Sequence, residues 1–265
     1  MRKIVGAIYD KIGIEYDTTR KADPAILSSL ASLLAIVSSN KYVDVACGTG
    51  NYTTELSKIG GHWFAFDHSQ KMLIEARTKT SMVSWQQYNV DETGYEDDFF
   101  DGATSSLAIH HFPDLEKAFE EIARILKPRG KFIIFTATPD QMRSYWLNDY
   151  FPTMMKRSCE QMPTLKAVEH ALNRAGISIK ATTPFFITPD LQDFFLYSGK
   201  QRPEMYLSSS VRKGISSFQN FCSESELESG LDKLREDIES GTIKGVMENY
   251  KNENGDYLFI SSFAD

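Results

Sequence analysis

VDVACGTG, residues 43–50, decides the fold, because a buried strand, a glycine-containing turn and a helix meet there. Tyr42 to Ala46 has the apolar and β-branched residues of a strand, and the residues after Gly50 can form a helix. Gly48 and Gly50 can adopt backbone conformations that disfavour side chains, which allows a ligand to approach the main chain. Taken alone the turn is weak evidence, since a strand-to-helix turn without a ligand uses the same glycines.

The rest of the chain alternates short apolar runs with amphipathic stretches. Strands are predicted over residues 42–46, 62–66, 101–109, 131–137, 177–187 and 256–264, with a further strand ending near residue 90. Helices are predicted over residues 24–37, after 50, after 69, over 114–126 and 164–175, and through most of 189–250. Such alternation predicts an α/β fold with a parallel sheet between helices. Ser223 and Glu226 have the spacing of a capping box.

Composition narrows the functional classes. The 265 residues carry a net charge of -7, and the three cysteines are scattered. Strong nucleic-acid binders usually present a basic surface, so we expect no nucleic-acid partner. The cysteines have no metal-ligand spacing, and no apolar stretch is long enough to cross a membrane. We therefore expect a cytoplasmic protein with no metal site and no membrane partner; the sequence says nothing of its oligomeric state.

Polar side chains follow two more of the predicted strands. Asp67 ends the strand after the glycine turn, where a carboxylate can accept hydrogen bonds from the ribose hydroxyls of a nucleoside. Asn89 and Val90 end the next strand. The carboxyl ends of parallel strands meet at one edge of a sheet, and ligands bind there. The sequence therefore predicts a nucleoside-binding edge.

Three segments carry a family resemblance: VDVACGTGNYT, FAFDHSQKMLIEAR and YEDDFFDGATSSLAIHHFPDLEKAFEEIARILKPRGKFII. They resemble the class I S-adenosylmethionine-dependent methyltransferases of the ubiquinone/menaquinone and type-11 group. The resemblance covers about residues 42–137. It implies a Rossmann-like, seven-stranded, mostly parallel sheet with an antiparallel last strand, and S-adenosylmethionine as cofactor. We expect an N-terminal helical lid over residues 1–40, a core over 41–188 and 255–265, and a helical cap over 189–254, inserted between the last two strands.

The resemblance also implies roles for single residues. Asp44 and the backbone of Ala46, Cys47, Gly48 and Gly50 would hold the methionine end of the cofactor. Asp67 would bind the ribose, and His68 and Met72 would lie against adenine. Asn89 and the Val90 amide would bind the adenine edge, and Leu107 would line the cofactor site. In the N-terminal segment, Tyr16 and Arg20 would face the sulfonium and the carboxylate. Two residues depart from the family pattern: Ala46 replaces a glycine, and Asn89 replaces an aspartate.

The loop after the fourth strand, AIHHF, faces the transferred methyl group in this family. His110 and His111 are therefore candidate general bases, since imidazole titrates near neutral pH. Either one could instead shape the wall of the pocket. For the methyl acceptor we expect contacts from aromatic and basic residues after the fifth strand and in the cap: Trp146, Tyr150, Phe194, Tyr197 and Arg202.

The predicted function is methyl transfer to oxygen or nitrogen of a small-molecule metabolite, such as a natural product. Two alternatives remain open: carbon methylation of a quinone-like ring, and binding of S-adenosylmethionine without catalysis. A nicotinamide-dependent dehydrogenase is disfavoured, because the turn is A-x-G-x-G and no Tyr-x-x-x-Lys pair is present.

Overall fold

The computed structural model describes residues 19–265. Seven strands lie in this part of the chain: β1 (Lys41–Val45), β2 (His62–Asp67), β3 (Val83–Gln87), β4 (Phe100–Ser106), β5 (Leu126–Thr136), β6 (Ile177–Phe185) and β7 (Tyr257–Ala264). They form one sheet in the order β3-β2-β1-β4-β5-β7-β6. β7 runs antiparallel to both of its neighbours, β5 and β6, and all other adjacent strands in this part of the chain are parallel. The predicted Rossmann-like fold with an antiparallel last strand is confirmed.

Eleven α-helices lie among the described residues: α1 (Pro24–Leu34), α2 (Asn51–Ile59), α3 (Gln70–Lys79), α4 (Leu115–Ile125), α5 (Pro139–Arg143), α6 (Pro152–Gln161), α7 (Leu165–Arg174), α8 (Ser209–Lys213), α9 (Ser216–Phe221), α10 (Glu224–Ser240) and α11 (Ile243–Asn249). Three short 3-10 helices cover Ile109–His111, Trp146–Asp149 and Pro203–Leu207. None of the helices from residue 19 onward is both long and apolar enough to cross a membrane.

The sheet separates two apolar cores, because successive side chains of a strand point to opposite faces. On β5, Ile133 and Phe135 belong to one core, and Phe132 and Ile134 to the other. The first core contains apolar residues of α1, α2 and α3, and the second contains those of α4 and α7. The sheet is therefore covered on both faces, as the near-continuous apolar strands require.

Two element boundaries differ from prediction. Residues 127–130 were expected to end a helix, but β5 already begins at Leu126. Phe100 pairs with Leu126, whereas Gly102 pairs with Lys131. Residues 127–130 of β5 therefore bulge out of the strand ladder. The third strand ends at Gln87, two residues before Asn89, because the chain turns into an isolated bridge between Asn89 and Glu92.

A helical layer lies beyond the carboxyl edge of the sheet; we use this name for residues 138–162 and 186–256, which contain α5, α6 and α8 to α11. It combines the chain after β5 with the chain between β6 and β7, and α6 packs against α9. The predicted capping box at Ser223 forms only in part. Ser223 Oγ accepts from the Glu226 amide at 3.2 Å, but the Glu226 carboxylate accepts from the amides of Thr153 and Met154 at the start of α6. Tertiary packing thus redirects Glu226 from its own helix to a neighbouring one.

Candidate active site

A cavity of about 900 Å³ lies between the carboxyl edge of the sheet and the helical layer. Its walls come from the turn after β1, the end of β2, the loops after β3 and β4, and residues of the layer. Ligands of open α/β sheets bind at this edge.

The glycine turn places main-chain atoms in the cavity wall. Ala46, Cys47 and Gly48 line it, and Ala46 and Gly48 both have a φ of +55°. Ala46 adopts this left-handed conformation although it carries a Cβ, which is unfavourable for a non-glycine residue. Apart from Gly48 and its two chain neighbours, no described residue has a heavy atom within 4 Å of the position that a Cβ on Gly48 would take. The turn therefore leaves room for a ligand against its backbone.

Gly50 has a packing role in the structure. It has a φ of +69° but does not line the cavity. A Cβ on this residue would lie 2.3 Å from the Trp85 ring and 3.3 Å from the Ala76 side chain. Gly50 is thus required for the packing of α2 against α3 and β3, and its contact with the cofactor stays a prediction.

Asp44 is a buried carboxylate in the wall of the cavity. It accepts hydrogen bonds from the hydroxyls of Thr53 and Thr104, the latter at 3.0 Å. Burial raises the pKa of Asp44 to about 6. The two hydrogen bonds from the hydroxyls oppose this rise, because they favour the ionised carboxylate. A cationic group beside Asp44 would offset this cost of burial.

Asp67 ends β2 and lies in the wall beside the glycine turn. Its two oxygens accept from the amides of Gly48 and Ser69 at 2.9 and 2.8 Å. Each carboxylate oxygen has further lone-pair capacity, so Asp67 can still accept from a ligand. His68 and Met72 also line this part of the cavity, and the buried His68 Nε2 has no hydrogen-bond partner in the described chain.

The loop after β3 contributes Asn89 and Val90 to the wall. Val90 is buried, and Asn89 is exposed at the rim. Leu107 follows β4 and lines the cavity with a φ of +54°. Its amide donates to the Phe135 carbonyl at 2.8 Å, so β5 holds the strained turn that leads into the two histidines.

His110 and His111 lie side by side in the cavity wall, with ring centroids 3.9 Å apart. His110 Nδ1 is buried and has no hydrogen-bond partner among residues 19–265. His111 Nδ1 lies 3.2 Å from Gln161 Nε2, which can donate to it. Burial lowers the pKa of His110 to about 4, and burial lowers the pKa of His111 well below its usual range. Both rings are therefore neutral at pH 7.

Arg20 also lines the cavity, next to two residues that the sequence analysis missed, Tyr52 and Asp193. The Arg20 guanidinium pairs with the Asp193 carboxylate, and Tyr52 Oη donates to Asp193 Oδ2 at 3.1 Å. The first turn of α2 in the quoted motif could have drawn attention to Tyr52. Asp193 lies in an irregular loop without a local signal. Tyr16 lies outside the described residues.

The five residues expected to bind the acceptor are not part of the cavity wall. Their partners belong to the interior of the layer: Trp146 Nε1 donates to the Lys200 carbonyl, Tyr150 Oη to Asp237, Tyr197 Oη to the Gln141 carbonyl and Arg202 Nη2 to the Leu191 carbonyl, while the Phe194 ring lies 5.6 Å from the Arg202 guanidinium. Aromatic side chains of an inserted layer are needed to fill its own core. Apolar residues of the same stretches line the cavity instead, including Met142, Met162, Phe195, Leu196 and Ile215.

Comparisons with known proteins agree with this architecture. Residues 43–134 match the family profile Methyltransf_11, described as a methyltransferase domain. A demethylmenaquinone methyltransferase of Clavibacter sepedonicus is 28% identical over 49% of this chain and 56% of its own length, so the chain spans little more than half of that curated relative.

Two solved structures extend the comparison to the whole fold. A putative methyltransferase from an antibiotic biosynthesis pathway of Anabaena variabilis has a TM-score of 0.81 and 29% identity, covering 92% of this chain and 98% of its own. An S-adenosylmethionine-dependent methyltransferase of Mesorhizobium loti has a TM-score of 0.54 and 19% identity, covering 89% and 96%, and shows the fold alone. The glycine turn, the strand-edge cavity and these matches together show a methyltransferase domain of the type-11 group over residues 43–134, on the fold of the class I S-adenosylmethionine-dependent methyltransferases.

Proposed function

We propose that this protein transfers the methyl group of S-adenosylmethionine to an oxygen or nitrogen atom of a small, largely apolar molecule. The observation that carries the proposal is His110, which lines the cavity at the cofactor edge of the sheet and has a buried ring nitrogen, Nδ1, without a hydrogen-bond partner in the described chain. A buried polar atom of this kind is costly unless a ligand pairs with it.

The strand-edge part of the cavity fits the cofactor. The left-handed turn at Ala46 and Gly48 gives open backbone, and Asp44 is a buried carboxylate suited to the ammonium group of the cofactor. Asp67 would accept from the ribose hydroxyls, since it retains lone pairs beside its two amide bonds. When bound, S-adenosylmethionine supplies an activated methyl group on a positively charged sulfur.

The layer side of the cavity supports an uncharged acceptor. Met142, Met162, Leu196 and Ile215 line it. Asp114 and Lys117 are also in the wall, but both are exposed at the rim, where water can solvate them. The net charge of -7 further favours a small molecule over a nucleic acid. We include in the proposal that residues 189–254 act as the cap that holds this acceptor.

The histidines suggest how the acceptor is oriented. His110 Nδ1 would accept the hydrogen bond of an acceptor hydroxyl or amine, which aims a lone pair of that atom at the methyl group. The low pKa of His110, caused by burial, disfavours a lasting imidazolium, so the proton leaves Nδ1 for water after transfer. Gln161 would keep His111 neutral, with Nδ1 as the acceptor nitrogen.

The test is methyl transfer from labelled S-adenosylmethionine to a panel of uncharged hydroxyl- and amine-bearing compounds, with the product position determined by NMR. We expect a labelled O- or N-methyl group. His110→Ala should lower kcat by about 100-fold, since positioned acid–base groups contribute about that much. Binding of S-adenosylhomocysteine should be unchanged. His170→Ala is the matched control, because His170 lies exposed on α7. Full activity of His110→Ala would contradict the proposed role.

A second candidate, carbon methylation of a quinone-like ring, is favoured by the name of the Clavibacter sepedonicus relative. The same experiment separates the two, because the label then resides on a ring carbon. Binding of S-adenosylmethionine with no transfer to any compound of the panel would instead favour a protein that binds the cofactor without catalysis.

A further inference from the structure

Asp193 is a buried carboxylate in the loop after β6, and it reaches the cavity from the side of the helical layer. Arg20 donates to it through two nitrogens, Nε to Oδ1 and Nη2 to Oδ2, the latter at 3.3 Å. Tyr52 donates to the same Oδ2 at 3.1 Å. Burial raises the pKa of Tyr52 well above its usual range, so its hydroxyl remains a donor. The carboxylate is thus held by two side chains that also line the cavity.

The main chain around Arg20 is fixed by the same region. The Phe194 amide donates to the Thr19 carbonyl, and the Gln192 amide donates to Asp23 Oδ2, both at 3.0 Å. On the core side, Asn51 Nδ2 donates to the Arg20 carbonyl at 3.0 Å. Residues 19–23 are therefore tied both to the loop at 192–194 and to the start of α2.

We propose that Asp193 is a positioning residue that orients the Arg20 guanidinium toward the carboxylate of the bound cofactor. This inference rests on the proposed function, because it requires the cofactor's amino-acid end to lie beside Arg20, Tyr52 and the glycine turn. The guanidinium is planar, and its side chain has many rotamers. A two-point pairing with a buried carboxylate that Tyr52 also holds selects one of these rotamers, which lowers the cost of binding.

Charge and geometry make opposite predictions for Asp193, and this makes the inference testable. Asp193 is negative, so by charge alone it repels a carboxylate ligand, and its removal would strengthen binding. If Asp193 acts by orienting Arg20, its removal weakens binding. Asp193→Asn keeps the size of the side chain and removes the charge.

The experiment compares two probes by calorimetry on the full chain. S-adenosylhomocysteine carries the amino-acid end, and 5′-methylthioadenosine lacks it. Asp193→Asn should lower the affinity for S-adenosylhomocysteine about tenfold, which is the size of one lost charge-assisted hydrogen bond. The affinity for 5′-methylthioadenosine should change by less than about twofold. In an Arg20→Ala background, Asp193→Asn should produce no further loss.

Asp256→Asn is the matched control for a lost buried ion pair. Lys200 and Asp256 have side-chain exposures of 18% and 2%, close to the 14% and 2% of Arg20 and Asp193, and neither lines the cavity. This variant should lower Tm without changing the ratio of the two affinities. Equal weakening of both probes by Asp193→Asn, or tighter binding of S-adenosylhomocysteine, would overturn the inference while the cofactor site stands. If the unaltered protein binds neither probe, the proposed function itself fails.

Discussion

The strand-edge half and the helical-layer half of the cavity are built in different ways. On the strand edge, the wall consists of residues at or shortly after the ends of β1, β2, β3 and β4, such as Gly48, Asp67 and Leu107. On the layer side, the wall is assembled from separate short segments, with Met142, Met162 and Ile215 as examples. Strand ends are fixed by the sheet, whereas segments of the layer are fixed only by their mutual packing. Local sequence therefore specifies the strand-edge half of the cavity, but it does not specify the layer half.

Asp44→Asn should have the largest effect on cofactor binding at the strand-edge half of the cavity. It removes the only charge that we assign to the cofactor ammonium, so we expect about 100-fold weaker S-adenosylhomocysteine binding by calorimetry, the scale of a buried charge-assisted pair. Asp101→Asn is the control, because Asp101 lies at the opposite end of the sheet and pairs with Lys127. A loss below about threefold for Asp44→Asn would show that the ammonium binds elsewhere.

Met162→Ala should act on the layer half alone. The lost side-chain contacts should raise the KM for the acceptor about tenfold, as expected for removing apolar groups from a binding pocket. The affinity for S-adenosylhomocysteine should remain the same. Tyr150→Phe is the contrast: it loses the 2.7 Å bond to Asp237 and about 1 kcal/mol of stability, but the acceptor KM should not change. An altered acceptor KM in Tyr150→Phe would show that Tyr150 does contribute to binding of the acceptor.

The pH dependence of cofactor binding should report on Asp44. Its pKa of about 6 means that the carboxylate is mostly ionised at pH 7 and mostly protonated at pH 5. Affinity for S-adenosylhomocysteine should fall about tenfold between these values. The free energy of unfolding should change in the opposite direction. Because the folded state binds the Asp44 proton more tightly than the unfolded chain does, Asp44 adds stability as the pH falls from 7 toward 4. Both effects should disappear in Asp44→Asn, and a pH-independent affinity in the unaltered protein would refute the assignment.

Ala46→Gly should give the smallest effect. Ala46 has a φ of +55°, and glycine relieves this strain while adding freedom to the unfolded chain. The balance should stabilise the protein by about 0.5 kcal/mol, measured by denaturant unfolding. Gly176→Ala, at a φ of +73° in open space away from the cavity, should shift stability in the other direction. Destabilisation by Ala46→Gly would mean that the Ala46 methyl group contributes packing that offsets the strain.

Parts of the strand edge were still beyond sequence reasoning. Gly48 and Gly50 are alike in the sequence, yet one faces the cavity and the other faces Trp85, because their directions depend on how α3 and β3 pack behind the turn. On the layer side, Phe195 lines the cavity, whereas Phe194, which the sequence analysis named, packs near Arg202. In an irregular loop no period of two or 3.6 assigns side chains to faces.

The sequence by itself determined the α/β fold, the glycine turn, and the edge of the sheet at which Asp44, Asp67 and the two histidines lie. The fold, the turn and Asp67 follow from local patterns of apolar runs and strand-end residues, whereas the places of Asp44 and the histidines follow from the resemblance of three segments to a known family. Only the tertiary structure decided that Asp193 meets Arg20 across 173 positions, that Glu226 caps α6, and which layer residues face the cavity. Such contacts join distant segments, and the free energy that selects them comes from packing the whole layer rather than from any one stretch of chain.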